Sequence, residues 1–345
     1  MKRFIFIILL FNCLTSWAQD PHFSQFYASP LYLNPAFAGT VNNHRLIAHN
    51  RLQWPVLSHA YTTYSFSYDH YRSDLKSGFG LLFNADKAGS AGLKTNMASF
   101  IYSYKIRMPG KWVLTPGLSF TYGNRGLDYS KLVLGDQLSF GNSNAPSIDP
   151  ALMLIDSRTF FDSSTGILFY NKATWLGASW AHINRPNISI LETEDRLPAK
   201  FTFHGGTRIQ FYGGPASIEK ISYLTTSFIV NVQGPFSQMD MGVNYHVDPI
   251  LVGVWYRGIA FKENAASNRS RDALILSAGL QYSMFSFQYS YDFTISELGT
   301  GSQGAHELSL EYRFDFPSNP KRVKRSDKIL PCPSFIPTES YRFRK

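Results

Sequence analysis

Apolar and polar side chains alternate along most of this chain with a period of two residues, from Asn43 to Phe316. Between Phe285 and Phe293, for example, every second residue is Phe or Tyr, and the residues between them are Ser, Gln and Asp. A period of two indicates β-strands with one apolar and one polar face, because helices repeat every 3.6 residues. The pattern predicts about fourteen antiparallel strands, over residues 45–54, 59–71, 78–87, 93–107, 111–123, 159–170, 173–184, 197–212, 218–232, 236–247, 250–260, 271–283, 285–295 and 304–316.

The apolar faces of these strands are rich in Tyr and Phe, many of them near strand ends. Soluble β-sandwiches use mainly Val, Ile and Leu there, whereas aromatic girdles at the two membrane interfaces are typical of transmembrane barrels. Every backbone amide in hydrocarbon must be hydrogen-bonded, so such strands have to close into a ring. We therefore predict an all-β fold, a transmembrane antiparallel β-barrel of about fourteen strands over residues 43–316. Side chains alone do not fill a barrel of that width, so its lumen holds water or other polypeptide.

Short and long connections alternate along the predicted strands, with exceptions at residues 55–58 and 233–235. The short connections are 108–110, 171–172, 247–249 and 283–284, and the long ones are 124–158, 184–196, 261–270 and 296–301. Outer-membrane barrels have short periplasmic turns and long outer loops. The pattern predicts that both termini are periplasmic and that the long loop at residues 124–158 faces outside.

Composition agrees with this class of protein and excludes several others. Charged residues make up 17% of the 345-residue chain, below the ~25% of an average soluble domain. The hydrophobic content of 44% excludes a disordered chain, and two cysteines cannot build a disulfide scaffold. No stretch reaches the ~20 apolar residues that a membrane-spanning helix needs.

The first 18 residues have the features of a secretory signal peptide. Two basic residues precede a short apolar core at residues 4–11, and a small-x-small motif ends at Ala18. The apolar core is too short to span a bilayer. We expect cleavage between Ala18 and Gln19, which leaves Cys332 as the only thiol of the mature chain.

Positive charge is concentrated after the predicted barrel. The formal net charge is +9, yet residues 317–345 carry eight Lys and Arg against two acidic side chains. This Pro-rich tail is either a solvated periplasmic terminus or a segment that docks on an acidic partner or on lipid headgroups. Nucleic acid is disfavoured as a partner, because no recognition motif accompanies the charge. The candidate partner-binding residues of the tail are Lys321, Arg322, Lys324 and Arg325.

Residues 19–42 form a distinct segment ahead of the barrel. Their three prolines disfavour both strand and helix, and they are more aromatic than a disordered arm usually is. We expect the segment to pack into or across the lumen from the periplasmic side, as a plug or a partner-binding surface; a loosely attached arm is the alternative. The candidate residues are Phe23, Phe26, Tyr27, Leu31, Tyr32, Asn34, Pro35 and Phe37.

The chain offers little that resembles a catalytic centre. His306 and Glu307 begin a sequence that lacks the second His of HExxH, and neighbours in a strand point to opposite faces. His246 and Asp248 share the predicted lumen face at a spacing that suits a metal, although hydrated pore side chains have the same spacing. We expect a non-enzymatic protein without a cofactor or a metal site.

The two ends of the mature chain carry its most specific motifs. Near the start, residues 19–27 read QDPHFSQFY and residues 30–39 read PLYLNPAFAG; near the end, residues 304–312 read GAHELSLEY. These stretches resemble the opening motif and the closing strand of the PorP/SprF family, with Ala305 where the family is expected to have Ser. Cys332 and Pro333 resemble a Cys-Pro ending found in members. The middle of the chain is similar to the family only in its barrel character.

The resemblance implies a non-enzymatic outer-membrane component of the type IX secretion system of Gram-negative bacteria. Members of the family are linked to gliding motility and to the export or surface attachment of large adhesins through the adhesins' C-terminal sorting domains. They are also linked to periplasmic ring lipoproteins and to peptidoglycan-associated components. The size of the predicted barrel leaves a second function open, that of an outer-membrane porin or a transporter of hydrophobic solutes.

Overall fold

A computed structural model describes residues 20–41, 44–56, 61–89, 92–127, 157–191, 193–212, 221–258, 271–295, 303–315 and 332. Alternating apolar and polar residues form long antiparallel strands through nearly all of this range. The strands are β1 (His44–Gln53), β2 (Tyr61–Arg72), β3 (Ser77–Ala88), β4 (Leu93–Tyr104), β5 (Ile106–Met108), β6 (Trp112–Gly126), β7 (Arg158–Tyr170), β8 (Thr174–Ala181), β9 (Lys200–Tyr212), β10 (Ile221–Gln233), β11 (Phe236–Val247), β12 (Ile250–Gly258), β13 (Arg271–Tyr282), β14 (Phe285–Thr294) and β15 (Ala305–Phe314).

These strands close into a ring. Each pairs with its neighbours in the chain, and β1 also pairs with β15 in a register that matches His44 with Phe314. Both β4 and β5 pair with β6, so together they form one barrel strand and the barrel has fourteen. The prediction of a closed antiparallel β-barrel of about fourteen strands is confirmed, and the predicted spans coincide with the observed strands to within a few residues.

One predicted strand, at residues 93–107, is interrupted at Lys105. The backbone N–H of Lys105 donates to the carbonyl oxygen of Lys76 at 2.8 Å. Lys105 therefore does not take part in the ladder with β6. The Lys105 side chain turns into the barrel, is 1% exposed and donates to the carbonyl oxygen of Gly39. The alternation of apolar and polar residues carries no information on the contact between Lys105 and Gly39. The sequence pattern therefore predicts an unbroken strand here.

The two faces of the wall have the predicted polarity. In β14, Tyr289 is 40% exposed on the outside, whereas the adjacent Gln288 is 2% exposed on the inside. The exposed outer surface is built from large apolar side chains, as expected of a face that meets lipid. Examples spread around the ring are Phe100, Phe120, Phe161, Phe203, Phe287 and Leu310.

The connections differ between the two mouths of the barrel. At the mouth where β1 begins, most connections are short, such as 109–111, 171–173, 248–249 and 283–284. At the opposite mouth, the connections from 127 to 157, 182 to 199, 259 to 270 and 295 to 304 are longer, although 234–235 is a tight turn. We call these the short-turn mouth and the long-loop mouth. Among the residues that the structure describes, no helix is long and apolar enough to cross a membrane.

The segment ahead of β1 contains short helical turns, where the sequence predicts neither helix nor strand. Phe26–Ala28 and Pro35–Phe37 are 3-10 turns, and Pro30–Leu33 is one turn of α-helix. Pro30 and Pro35 each occupy the first position of a turn. Proline is suited to this position, because its fixed φ fits a helix start and no N–H is lost there.

Candidate functional site in the barrel interior

Residues 20–41, which we call the interior segment, lie inside the ring of strands. The backbone N–H groups of Ser24 and Gln25 donate to the Glu307 carboxylate in β15 at 2.6 and 2.8 Å. On the far side of the ring, the Asn34 side chain donates to the carbonyl oxygens of Ile167 and Ala178, in β7 and β8, at 3.2 and 3.0 Å. The interior segment therefore spans the barrel from wall to wall.

A cluster of buried charges lies beside the start of this segment. Arg51 Nη1 is 3.0 Å from Asp292 Oδ2 and also contacts Glu307. Arg257 bridges the same Asp292 oxygen and Asp240 Oδ2, each at 3.0 Å. The five residues come from five different strands and are all less than a tenth exposed. Such a cluster is favourable only when the charges are paired, because an isolated buried charge is strongly destabilising.

Ser24 completes the charge cluster from the interior segment. Its hydroxyl donates to Asp292 Oδ2 at 2.6 Å and accepts from Arg51 Nη1 and Arg257 Nη2 at 2.8 and 2.7 Å. The next residue, Gln25, donates from Nε2 to the Ser290 hydroxyl at 2.9 Å. The sequence predicts polar side chains facing a hydrated lumen. At this level of the barrel, those side chains are instead hydrogen-bonded to the interior segment.

Aromatic rings fill the middle of the interior. Phe23 stacks on His49 at 4.3 Å between ring centroids. Tyr27 stacks on Trp255 at 5.5 Å, and Phe26 meets the edge of the same indole at 5.2 Å. Ring contacts of this kind stabilise a packed interior beyond the area they bury.

Two glycines in the wall make room for the turn at Asn34. Gly117 and Gly166 face each other in the β6–β7 ladder. A Cβ atom on Gly166 would collide with the Asn34 side chain, and one on Gly117 would collide with the backbone of Ala36. Asn34 Oδ1 accepts from the Ala36 N–H at 2.9 Å, and its Nδ2 lies 3.1 Å from His204 Nε2. The glycine pair therefore allows backbone to approach backbone at this point.

The end of the interior segment is fixed at the short-turn mouth. The Gly39 N–H donates to Asp69 Oδ2 at 2.7 Å, and Asp69 in turn accepts from Arg45 Nε at 2.8 Å. Lys105 donates to the Gly39 carbonyl oxygen from the opposite direction. Gly39 has a φ of +63°, a conformation that glycine adopts without a steric penalty.

Cys332 also lies at this mouth, although the tail around it is outside the described residues. Its N–H donates to the carbonyl oxygen of Thr40 at 3.2 Å, and its side chain is 3% exposed. Burial raises the pKa of the thiol to about 12, so it is protonated at neutral pH. The chain after the barrel therefore returns to the interior segment at this residue.

The beginning of the interior segment is held at the long-loop mouth. Asp20 Oδ2 lies 2.8 Å from His182 Nε2 and 3.5 Å from Lys200 Nζ. Burial opposes ionisation of Asp20, but these cationic neighbours outweigh it and lower the pKa of the carboxyl. His22 Nε2 lies 2.9 Å from Asp240 Oδ2. Burial lowers the pKa of His22 in spite of that carboxylate, so the imidazole is neutral and donates to it.

The eight candidate residues of the segment are all placed within this packing. Seven are buried and Tyr32 is half-buried. Their role as a plug or as a partner-binding surface stays a prediction. Ala18, Gln19 and the basic tail residues Lys321, Arg322, Lys324 and Arg325 lie outside the described residues.

The sequence did not identify the inward charges as a functional group. Asp240, Asp292 and Glu307 alternate with apolar residues, which predicts their face, but nothing in the pattern predicts that they meet Arg51 and Arg257. Only the unusual size and charge of these side chains at lumen positions could have singled them out. Across the described part of the chain, no group of three His, Cys, Asp or Glu side chains is placed to hold a metal ion.

The closed ring, the apolar outer face and the polar inner face define a transmembrane β-barrel of the outer-membrane type. Within this class, the chain belongs to the type IX secretion system membrane protein PorP/SprF family, whose model matches residues 15–312. The predicted family is thus confirmed. No curated protein matches the chain in sequence.

Several solved barrels are similar to this chain at low sequence identity. CdiB from Acinetobacter baumannii is 7% identical, with a TM-score of 0.45 over 79% of this chain and 60% of that one. BamA from Haemophilus ducreyi, lacking POTRA domains 1–3, is 10% identical, with a TM-score of 0.38 over 79% and 71%. A mutant of Rh. blastica porin is 7% identical, with a TM-score of 0.33 over 79% and 99%.

Proposed function

We propose that this protein is a non-enzymatic outer-membrane component of the type IX secretion system in a Gram-negative bacterium. In this role it supports the secretion or surface attachment of specific adhesins that carry a C-terminal sorting domain, and with them gliding motility. It acts by binding protein partners, which include periplasmic ring lipoproteins and peptidoglycan-associated components. It reaches the outer membrane through a signal peptide cleaved between Ala18 and Gln19.

The observation that carries this proposal is the position of the most specific family motif. Residues 20–27 and 30–39 of the two motif stretches make up most of the interior segment, whose hydrogen bonds reach opposite walls of the barrel. Two cavities that border the middle of the segment have volumes of only about 20 and 80 Å³. A lumen occupied in this way favours a protein-binding scaffold over a conduit for solutes.

Deletion of the gene tests the proposed function. We expect the loss of one or a few adhesins from the cell surface and a defect in gliding, restored by the wild-type gene. The uptake of small solutes should stay normal. A defect in nutrient uptake with normal surface adhesins would contradict this proposal and support the alternative, a porin or a transporter of hydrophobic solutes.

The basic tail is proposed to contact the periplasmic partners. Replacing Lys321, Arg322, Lys324 and Arg325 with Gln removes four positive charges and should reduce co-purification with periplasmic components, because charge complementarity steers such contacts. The barrel should fold normally, as judged by its heat-modifiable migration. A control replaces exposed Lys76 and Lys94 with Gln, which removes two positive charges outside the tail. Unchanged co-purification of the tail variant would remove the tail from the mechanism.

A further inference from the structure

A pocket of about 290 Å³ lies at the short-turn mouth, beside the break between β4 and β5. Three of the side chains that line it are cationic, those of Lys76, Lys105 and Arg107. Lys76 belongs to the turn between β2 and β3, and Arg107 is the middle residue of β5. We call this site the basic pocket.

The positive charge of the basic pocket is not balanced by the protein. No Asp or Glu is found among its described lining residues, and none of the three cations forms an ion pair with a described residue. Asp74, two residues before Lys76, is already paired with Arg72 at 2.7 Å. Cations that share one pocket repel each other, so an anion bound there would be stabilised by all three.

Lys105 is the buried member of the basic pocket. Its ammonium group donates to the carbonyl oxygen of Gly39, and Nζ lies 4.0 Å from the centroid of the Tyr71 ring. Both partners are uncharged, and an ammonium group has three N–H donors. A buried cation is costly unless an opposite charge is near, so Lys105 favours an anionic ligand.

The basic pocket adjoins the lipid-facing surface of the barrel. Tyr104 and Ile106 line the pocket and are exposed on the outer face of the wall. Met108 continues the same exposed apolar strip towards the turn at residues 109–111. Cations next to lipid-facing aromatic side chains at the rim of a barrel lie at the level of the lipid headgroups.

We propose that the basic pocket binds the phosphate group of an anionic phospholipid, whose acyl chains lie against the outer face at Tyr104 and Ile106. The occupant follows from the combination of unbalanced cations with exposed apolar side chains, which matches an amphiphile with a negative headgroup. Soluble phosphate or an acidic peptide would use only the cations. The inference needs the membrane-spanning barrel alone, so it is independent of the proposed secretion role.

The lipid site is also connected to the interior segment. Lys105 lines the basic pocket and holds the carbonyl oxygen of Gly39, close to the end of that segment. A bound phosphate therefore lies next to the contact that fixes the segment at the short-turn mouth.

Lipid binding to the purified full-length protein tests this proposal. The protein in non-ionic detergent micelles is titrated with short-chain phosphatidylglycerol, and native mass spectrometry counts the lipids that stay bound. Phosphatidylcholine with the same acyl chains is the reference for the headgroup charge. We expect one phosphatidylglycerol per protein to be retained at concentrations that leave phosphatidylcholine unbound.

Variants of Arg107 test the site itself, because this side chain is exposed and its replacement should not disturb the fold. Arg107→Gln should weaken phosphatidylglycerol binding roughly five-fold, and Arg107→Glu, which changes the charge by two, about 25-fold. The matched control is Arg185→Glu, exposed at the long-loop mouth, which makes the same change of net charge and should bind like the wild type. Heat-modifiable migration checks that each variant is folded.

Three results would overturn the proposal. Equal retention of phosphatidylglycerol by the wild type and the folded Arg107→Gln variant would exclude the basic pocket as the site. Equal retention of phosphatidylcholine and phosphatidylglycerol would show that the headgroup charge is not recognised. Displacement of the lipid by inorganic phosphate or by a Glu-rich peptide, each at millimolar concentration, would assign the pocket to a soluble anion or to a protein partner.

Adhesin secretion is measured separately, so a failure of the lipid site is distinguishable from a failure of the proposed function.

Discussion

Tyr289 shows at the scale of one residue how the wall separates lipid from the interior. Its side chain lies on the outer face near the middle of β14, and its hydroxyl is 2.8 Å from Nδ1 of the neighbouring His306. We predict that Tyr289→Arg lowers the free energy of unfolding by roughly 2–4 kcal/mol, the cost of a cation near the midplane on a lipid-facing strand. Urea titrations in lipid vesicles measure this. Tyr289→Phe, which keeps the ring, is the control, and an equal loss in both variants would contradict the face assignment.

Gln288 shows why the inner face is less tolerant than a water-filled lumen would be. A hydrated lumen predicts that Gln288→Arg is accepted. The side chain is 2% exposed, however, and a Cβ atom on Gly279 of the next strand would already collide with it. We therefore expect Gln288→Arg to lower the free energy of unfolding, as Tyr289→Arg does, because the packed interior leaves no room for the larger Arg side chain.

Gly117 and Gly166 carry the closest approach between wall and interior segment. We predict that Gly117→Ala and Gly166→Ala each cost about 1–3 kcal/mol by overpacking, and that they displace the turn at Asn34. Limited proteolysis of the folded barrel should then cut within residues 20–41 faster than in the wild type. Gly126→Ala in the same strand as Gly117 is the matched control, because its Cβ would meet the nearest atom at 3.4 Å. Equal cleavage in all three variants would exclude the proposed steric role.

At the scale of the secondary-structure elements, strand positions were predictable and contacts between elements were not. Lipid imposes alternation on each strand, so Tyr and Phe at every second position identify β14 without any tertiary information. The Lys105 contact with Gly39 and the close approach of Asn34 and Ala36 to Gly166 and Gly117 involve the interior segment, which is distant in sequence. The helical turns that begin at Pro30 and Pro35 were also not predictable from the local sequence. They are too short to be stable alone, and packing against the barrel wall stabilises them.

The beginning of the interior segment, at the long-loop mouth, should respond to pH through His22. The pKa of His22 is lower in the folded protein than its ordinary value of 6.5, because burial disfavours the cation. The unfolded chain therefore binds the proton first as the pH falls below 6.5, and the stability that neutral His22 provides is lost. Asp20 has a lowered pKa too, but its contribution is lost only below about pH 4, as its ordinary value is 3.8.

We predict that hydrogen exchange of the backbone around His22 becomes faster between pH 7 and pH 5, after correction for the intrinsic pH dependence of exchange. His182 acts in the opposite direction, since its two carboxylate partners raise its pKa despite burial. The comparison with His22→Gln therefore isolates the effect of His22. Asp240, Arg257 and Lys200 also face this imidazole electrostatically, and they are unchanged in the variant. An identical pH response in both proteins would assign it to another group.

At the scale of the whole molecule, we expect the interior segment to limit conduction through the barrel. A fourteen-stranded ring leaves a lumen that its own side chains do not fill, and here the segment spans that lumen with hydrogen bonds to β7, β8 and β15. We predict that the intact protein shows little ion conductance in planar bilayers and that deletion of residues 20–38 gives large, stable channels. Ser24→Ala with Gln25→Ala keeps the chain length but removes side-chain hydrogen bonds to the charge cluster and Ser290, and it should give brief openings. Large steady conductance of the intact protein would contradict the scaffold role and favour a porin. A deletion variant that folds but does not conduct would show that other parts of the chain close the lumen.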